Sequence, residues 1–289
     1  MTRTRLWLAL GIGAMLVLPI AMSGLAFYEL AMAQPADLII GRPLVVTPTP
    51  FVAPSATPDP DSSDLQLQAA EAYQAGLAAY ESGDYILAET NFRAALALAP
   101  GEANWHNSLG LSLAQLKRLD EAVAEYQTAI ALDSALAEAH YNLGTAFHAQ
   151  GRWSEAEAAY QDALQAGPEL APAYVSLGNL YEDQGRSLEA LAAYEQAVAL
   201  DPALLTAQLN LGVAYANAGD LTGARTALEK AVALDPEHAA AHFNLGVVHA
   251  HRGAVELARE QFELVLSLAP QSTWASQAIE HLRSLQPAP

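Results

Sequence analysis

Every 34 residues the chain places a short polar side chain: Gln74, Ser108, Asn142, Ser176, Asn210 and Asn244. A carboxamide carries both a donor and an acceptor, so a file of such groups could pair with the amides of an extended peptide whatever its side chains. The same groups could instead bond their own scaffold, as buried polar side chains do. Four histidines, His238, His242, His249 and His251, fall within fourteen residues, the first two at i, i+4. That spacing suits metal ligands on one helix face, but the chain has no cysteine to complete a closed ligand set. His106, His140 and His242 share one slot of the 34-residue period with Tyr174, and His249 fills a slot held elsewhere by Tyr or Phe. Packing therefore explains them, and no metal and no cofactor are expected. Every glycine is accounted for by the period, by turns or by an apolar N-terminal run, which leaves no phosphate-binding loop and no catalytic constellation.

The elements that must position these groups show in the same period. Gly76, Gly110, Gly144, Gly178, Gly212 and Gly246 stand in register, each preceded by Leu or, once, Ala. Ala88, Ala122, Ala156, Ala190, Ala224 and Ala258 follow twelve residues later, and Phe92, Tyr126, Tyr160, Tyr194, Leu228 and Phe262 four residues after those. Such spacings put one apolar stripe on each of two helices. Where the helices of a hairpin cross, a Gly facing an Ala lets the backbones approach, and the bulky side chain fills the flank. A repeat of this length marks stacked units that bury their apolar faces only against neighbours.

The hairpin turns are written in Gly83, Gly151, Gly185, Gly219 and Gly253, at the place where a helix ends in a left-handed residue, with Asp120, Ser154 and Thr222 expected as N-caps of the second helix. Pro100, Pro168, Pro202, Pro236 and Pro270 close the units, Ser134 being the exception. Asp133, Asp201 and Asp235 stand just ahead of that position as expected caps for the next helix.

This unit resembles the tetratricopeptide repeat, whose pattern of a bulky residue, Leu-Gly, Tyr, Ala, Phe, Ala and Pro is matched six times over residues 69 to 270. Ala171 to Leu204 is the most typical copy, with Tyr174, Leu177, Gly178, Tyr181, Gly185, Ala190, Tyr194, Ala197 and Pro202 on pattern. The first copy departs most, carrying Ala72, Ala75 and Ala79 in slots for larger residues. The resemblance implies an all-α fold, a right-handed α-solenoid of six 34-residue helix-turn-helix repeats: 65–272, divided as 69–102, 103–136, 137–170, 171–204, 205–238 and 239–272. After Pro270 the pattern resumes as far as Trp274, Ala275 and Ile279, but Glu280 replaces the crossing glycine. Residues 273–285 are therefore expected to form a single capping helix, with 286–289 a tail.

In peptide-binding members of the resembled family, fixed slots on the first helix of each repeat face a groove. Carried over, these slots are the polar file Gln74, Ser108, Asn142, Ser176, Asn210 and Asn244, together with Asn179 and the rings Tyr141 and Phe243. Glu81, Glu138, Glu182 and Asp183 add acid to the lining. The Lys and Arg that clamp a C-terminal carboxylate in some members are missing from these slots, so a neutral or basic extended peptide is the expected ligand, and an interaction scaffold the expected role. Self-association into a homo-oligomer is the alternative.

Two further segments precede the repeats. Leu6 to Tyr28 is free of charged residues, follows Arg3 and Arg5, and is long enough to span a bilayer with its N-terminus in the cytoplasm. Ala31-Met32-Ala33 offers a small-x-small cleavage site, so residues 1–33 read as an anchor or as a signal segment. Either reading puts the repeats across the membrane. Residues 34–64 contain seven prolines and read as an extended linker. The formal charge is −19, and from residue 69 onward 27 acidic residues face 10 basic ones. Such a surface disfavours nucleic acid and anionic lipid as partners.

Overall fold

The computed structural model describes residues 60–286. The expected anchor or signal at 1–33, and the linker as far as residue 59, lie outside the described residues. Thirteen helices follow one another in this span: α1 (Pro60–Glu81), α2 (Tyr85–Leu98), α3 (Ala103–Gln115), α4 (Leu119–Leu132), α5 (Ala137–Ala149), α6 (Trp153–Ala166), α7 (Ala171–Asp183), α8 (Ser187–Leu200), α9 (Leu205–Asn217), α10 (Leu221–Leu234), α11 (Ala239–His251), α12 (Val255–Leu268) and α13 (Thr273–Ser284). They pair as antiparallel hairpins stacked into an α-solenoid. Among the described residues there is no strand, and no helix is long and apolar enough to cross a membrane.

Each crossing is built on its glycine. A Cβ on Gly110 would lie 2.5 Å from the Tyr126 ring, and one on Gly144 would lie 2.6 Å from Tyr160. Only a hydrogen lets the backbones come this close. The facing alanines, from Ala88 to Ala258, are wholly buried, as are Phe92, Tyr160, Leu228 and Phe262. Burying one such side chain stabilises the fold by roughly 2 kcal/mol. At the fifth repeat Leu228 stands in place of the ring, with its Cγ 2.6 Å from where a Gly212 Cβ would be.

The layering follows from which helices touch. Consecutive first helices (α1, α3, α5, α7, α9, α11) pack on one another and finally on α13, whereas the backbones of consecutive second helices stay apart among the described residues, α2 and α4 being bridged by the Arg93–Glu121 side-chain pair at 3.6 Å. A stack that is close along one layer and splayed along the other curves toward the close layer, so the first helices line the inner face.

The turns differ from expectation in detail. Gly151 takes φ +72° and its counterparts in four other hairpins are also left-handed, but in the second hairpin Lys117 occupies this conformation, at φ +63°. Every second helix starts earlier than expected, so Asp120, Ser154 and Thr222 lie inside the first turn and the N-caps are Arg118, Arg152 and Asp220. The chain needs just one residue after the left-handed position to enter the helix, and that residue is the cap. Asp220 bonds the amides of Thr222 and Gly223, and Asp84 bonds that of Leu87. Asp133, Asp201 and Asp235 are C-caps instead of N-caps, each accepting from the amide two residues on and so fastening the turn between repeats.

Both ends of the array are modified. Helix α1 begins at Pro60, inside the stretch expected to be linker, because Pro is suited to the first helical position and the acidic residue types at Asp61 and Asp64 suit the positive end of the helix dipole. Its extension leaves Leu67 59% exposed. At the other end α13 buries Trp274, Ala275 and Ala278, with the Trp274 ring centroid 5.0 Å from that of Phe243. Glu280, in the glycine's place, is exposed, and no helix crosses there.

Candidate functional site

The polar file on the inner helices is first of all a set of bonds between repeats. Tyr73 and Ser108 share a hydrogen bond of 3.1 Å, Asn142 Nδ2 donates to Asn107 Oδ1 at 2.9 Å, and Ser176 donates to the Tyr141 hydroxyl at 3.3 Å. All three join residues 35 apart, the offset that brings one helix turn against the next copy of itself. Ser108, Asn142 and Ser176 are accordingly buried, Asn142 to 2% exposure. Asn179 is buried too; its Oδ1 accepts from the Tyr194 hydroxyl at 2.8 Å and from Asn210 Nδ2 at 2.9 Å. Of the two readings left open by the spacing, bonding to the scaffold describes these four residues.

The remaining predicted groove residues divide. Gln74 is exposed, while Asn210 and Asn244 are half-buried, the latter donating to the Ala240 carbonyl at 2.9 Å. Tyr141 and Phe243 do not line an open surface: both are wholly buried, Tyr141 with its ring 5.9 Å from that of Tyr160 and Phe243 packed between Phe262 and Trp274. Their position looks inward along the helix, but each ring turns into the junction between repeats, where apolar area can be removed from water.

A second row runs along the inner face nearer the C-terminal ends of the same helices. His148 Nε2 lies 2.7 Å from Asp183 Oδ2, again across 35 residues. Glu182 is half-buried beside Asp183, and burial pushes its carboxyl pKa up, with the neighbouring Asp183 charge adding to the effect. Burial, with these two carboxylates close by, also holds the Tyr194 hydroxyl well above the usual tyrosine range. Asn104, Asn107, His148 and Asn217 are inner-face polar residues that slot-by-slot reading passed over. The offset of 35 between partner positions is the signal that would have found Asn107 and His148.

The shared histidine slot has a structural explanation. His106, His140, Gln208 and His242 each reach the main-chain carbonyl six residues earlier, at 3.1, 3.1, 2.9 and 2.9 Å. His106 and His242 also bond Glu125 and Gln261 on the following helix. This slot thus clasps the turn that enters each repeat. His238 caps α11 through its Nδ1, and burial lowers the pKa values of His249 and His251. Among the described residues no three His, Cys, Asp or Glu side chains come together as metal ligands would.

Sequence profiles of the family match much of this array: one described as TPR repeat over 110–151 and two described as tetratricopeptide repeat over 137–170 and over 175–234 and 217–273. Among solved structures, YrrB, described as a TPR protein with an unusual peptide-binding site, is 28% identical, with a TM-score of 0.53 over 65% of this chain and 97% of that one. MamA is 25% identical, with a TM-score of 0.50 over 60% of this chain and 94% of its own. PilF of Pseudomonas aeruginosa shares the fold at 19% identity, with a TM-score of 0.67 over 76% of this chain and 99% of that chain. No curated protein sequence matches significantly. With profiles of one repeat covering over half of its length and a stack of hairpins each crossing at its own glycine, the chain belongs to the tetratricopeptide repeat family.

Proposed function

We propose that the chain is an interaction scaffold, tethered to the membrane by its N-terminal apolar run with the repeats outside the cytoplasm, whose inner face binds an extended segment of a partner protein. The observation that carries this reading is the continuous inner layer of six helices with polar groups that keep some exposure on it, Gln74, Asn210 and Asn244 among them. Extended peptides are held by such groups through their main chain, with side-chain pockets adding selectivity. The likeness to YrrB, a peptide-binding relative by its description, supports the same reading. Arg3, Arg5 and the uncharged run from Leu6 to Tyr28 support the tether and its orientation. The role is one of binding, with no reaction assigned.

A photo-crosslinking residue placed at Val213 on the inner face, and in a second variant at Gln161 on an outer helix, tests this in whole cells. Selective capture of a partner at 213 is the expected outcome. Equal capture at both positions, or none at 213, would remove the inner face from the function, and capture of a second copy of this chain would make it a self-assembling scaffold.

A further inference from the structure

We infer that the partner segment is cationic, and that one of its Lys or Arg side chains seats at the junction of the fourth and fifth repeats between Glu182 and Asn217. This rests on the reading that the inner face binds an extended segment, and names the chemistry of what it takes.

Charge is sorted between the layers. From residue 69 onward, none of the ten Lys and Arg residues lies on an inner helix: Arg93, Arg225, Lys230 and Arg259 are on outer helices, Arg283 is on the cap, and the rest are in turns or at helix caps. The inner helices carry Glu71, Glu81, Glu138, Glu182 and Asp183. A face with carboxylates and no cation of its own attracts positive segments and repels acidic ones.

Hydrogen-bonding capacity is unbalanced in the same direction. Asn104 Oδ1, Asn142 Oδ1, Glu182 Oε1, Gln208 Oε1 and Asn217 Oδ1 on the inner helices are shielded from solvent and lack a partner, against a single nitrogen, Asn107 Nδ2. The layer is short of donors. An unmet acceptor costs about 1–3 kcal/mol; Gln208 and Asn142 are closed inside the junctions, which leaves recovery by a ligand's donor to the half-buried Asn104, Glu182 and Asn217.

Register locates the seat. The offset of 35 that pairs His148 with Asp183 sets Glu182 opposite Asn217. The Asp183 carboxylate is already engaged by His148, whereas Glu182 has only a 3.4 Å contact from Ser187 Oγ to its other oxygen. Glu182 is thus a partly desolvated carboxylate without a cation, facing a carboxamide with an unmet oxygen. An ammonium or guanidinium group brings the positive charge and several N–H donors, and so satisfies both at once. An acidic or phosphorylated segment would meet only like charge and further acceptors.

Fluorescence anisotropy on the full chain in detergent micelles tests the assignment. The probes are a labelled peptide of three Ala-Pro-Lys units, the same peptide with acetyl-lysine, and the same with glutamate. The lysine peptide is expected to bind about tenfold more tightly than the acetylated one at physiological salt, and the glutamate peptide not at all. Glu182→Gln should remove most of that tenfold preference, whereas Glu237→Gln in an exposed turn should change it less than about twofold. Asn217→Asp, which adds charge at the seat, should tighten the lysine peptide severalfold, so the proposal stands or falls even where Glu182→Gln melts early in circular dichroism. Equal binding of the lysine and acetyl-lysine peptides would overturn the cationic seat and leave peptide binding intact. Failure of all three peptides would overturn both readings, and equal effects of Glu182→Gln and Glu237→Gln would replace the seat with diffuse attraction.

Discussion

On the inner helices, polar side chains reach sideways to the next repeat mostly through neutral groups, as in Tyr73 with Ser108 and Asn142 with Asn107, the His148–Asp183 pair being the exception, and most are buried. On the outer helices and hairpin tips the polar side chains are charged and solvated. Arg118 bonds Glu121 in its own helix and Glu89 in the preceding repeat at 2.6 Å, and Arg186 repeats the arrangement with Glu189 and Glu157. Between them the pattern lapses: Val123 stands where Glu89 and Glu157 do, and Arg152 bonds Glu155 and Gln150 and lies over the Phe147 ring without a carboxylate from the preceding repeat. A lapse is tolerated outside because solvated pairs add little to stability, whereas an unmatched buried group inside costs its full desolvation. The inner layer fixes the spacing of the repeats, and the outer layer keeps an alanine-rich array in solution.

The largest effect should come from breaking the boundary between the layers. Gly178→Leu places its Cβ within the van der Waals envelope of Tyr194, at a crossing where the backbones cannot separate, and should destabilise the protein by about 3 kcal/mol. Next should come Asn179→Ala. Read from sequence, that residue only trimmed a groove, but it holds the Tyr194 hydroxyl and Asn210 together in the interior, so its loss should cost about 2 kcal/mol. Denaturant melts of both variants decide the point. A neutral Asn179→Ala would show that the inner bonds merely accompany packing.

A smaller, local effect is expected on lowering the pH. His281 on α13 stacks on Phe262 at 5.0 Å and meets Phe243 edge-on, and burial, with His251 adding its charge, lowers the His281 pKa. The folded pKa lies below the unfolded one, so the unfolded state takes up the proton more readily. The stability contributed at neutral pH is then lost as pH falls from the ordinary histidine value of 6.5 through the folded value. Relative to the intrinsic exchange rate at each pH, amide protection across 273–284 should fall between pH 7 and pH 5, and His281→Phe should blunt that fall. A uniform loss of protection over all six repeats would mean that the cap does not titrate on its own.

How much of this was legible without coordinates depended on whether a group's partner lay in its own repeat or the next. Gly144 and Tyr160 sit in one hairpin, sixteen residues apart, so their contact showed in the period itself, as did the capping role of α13 once Glu280 replaced the glycine. Ser108, Asn142 and Ser176 find partners 35 residues away, and a reading that aligns each slot with its own copy misses a bond between different slots. The same blindness placed Tyr141 and Phe243 on an open surface. N-caps were misassigned for another reason: Asp120, Ser154 and Thr222 have the right chemistry, but the N-cap comes directly after the left-handed residue, two positions sooner than residue preference alone suggests.

Lys117 carries the smallest expected change and sharpens the contrast from the outer side. It alone among the described non-glycine residues takes the left-handed conformation, at a slot that is glycine in the other five hairpins. A residue with a Cβ gives up roughly 1–2 kcal/mol there, while glycine would lose more chain entropy on folding, by roughly 0.5–1 kcal/mol. The two oppose, so Lys117→Gly should stabilise the protein by only about 0.5–1 kcal/mol, raising its melting temperature by a few degrees. Lys117 is exposed and forms no ion pair among those resolved at this hairpin, so removing its charge should not mask the backbone gain. Lys117→Ala separates the two contributions, since it deletes the charge and keeps the strained conformation. Stabilisation by Gly without stabilisation by Ala locates the effect in the backbone, and an equal gain from both would place it in the side chain.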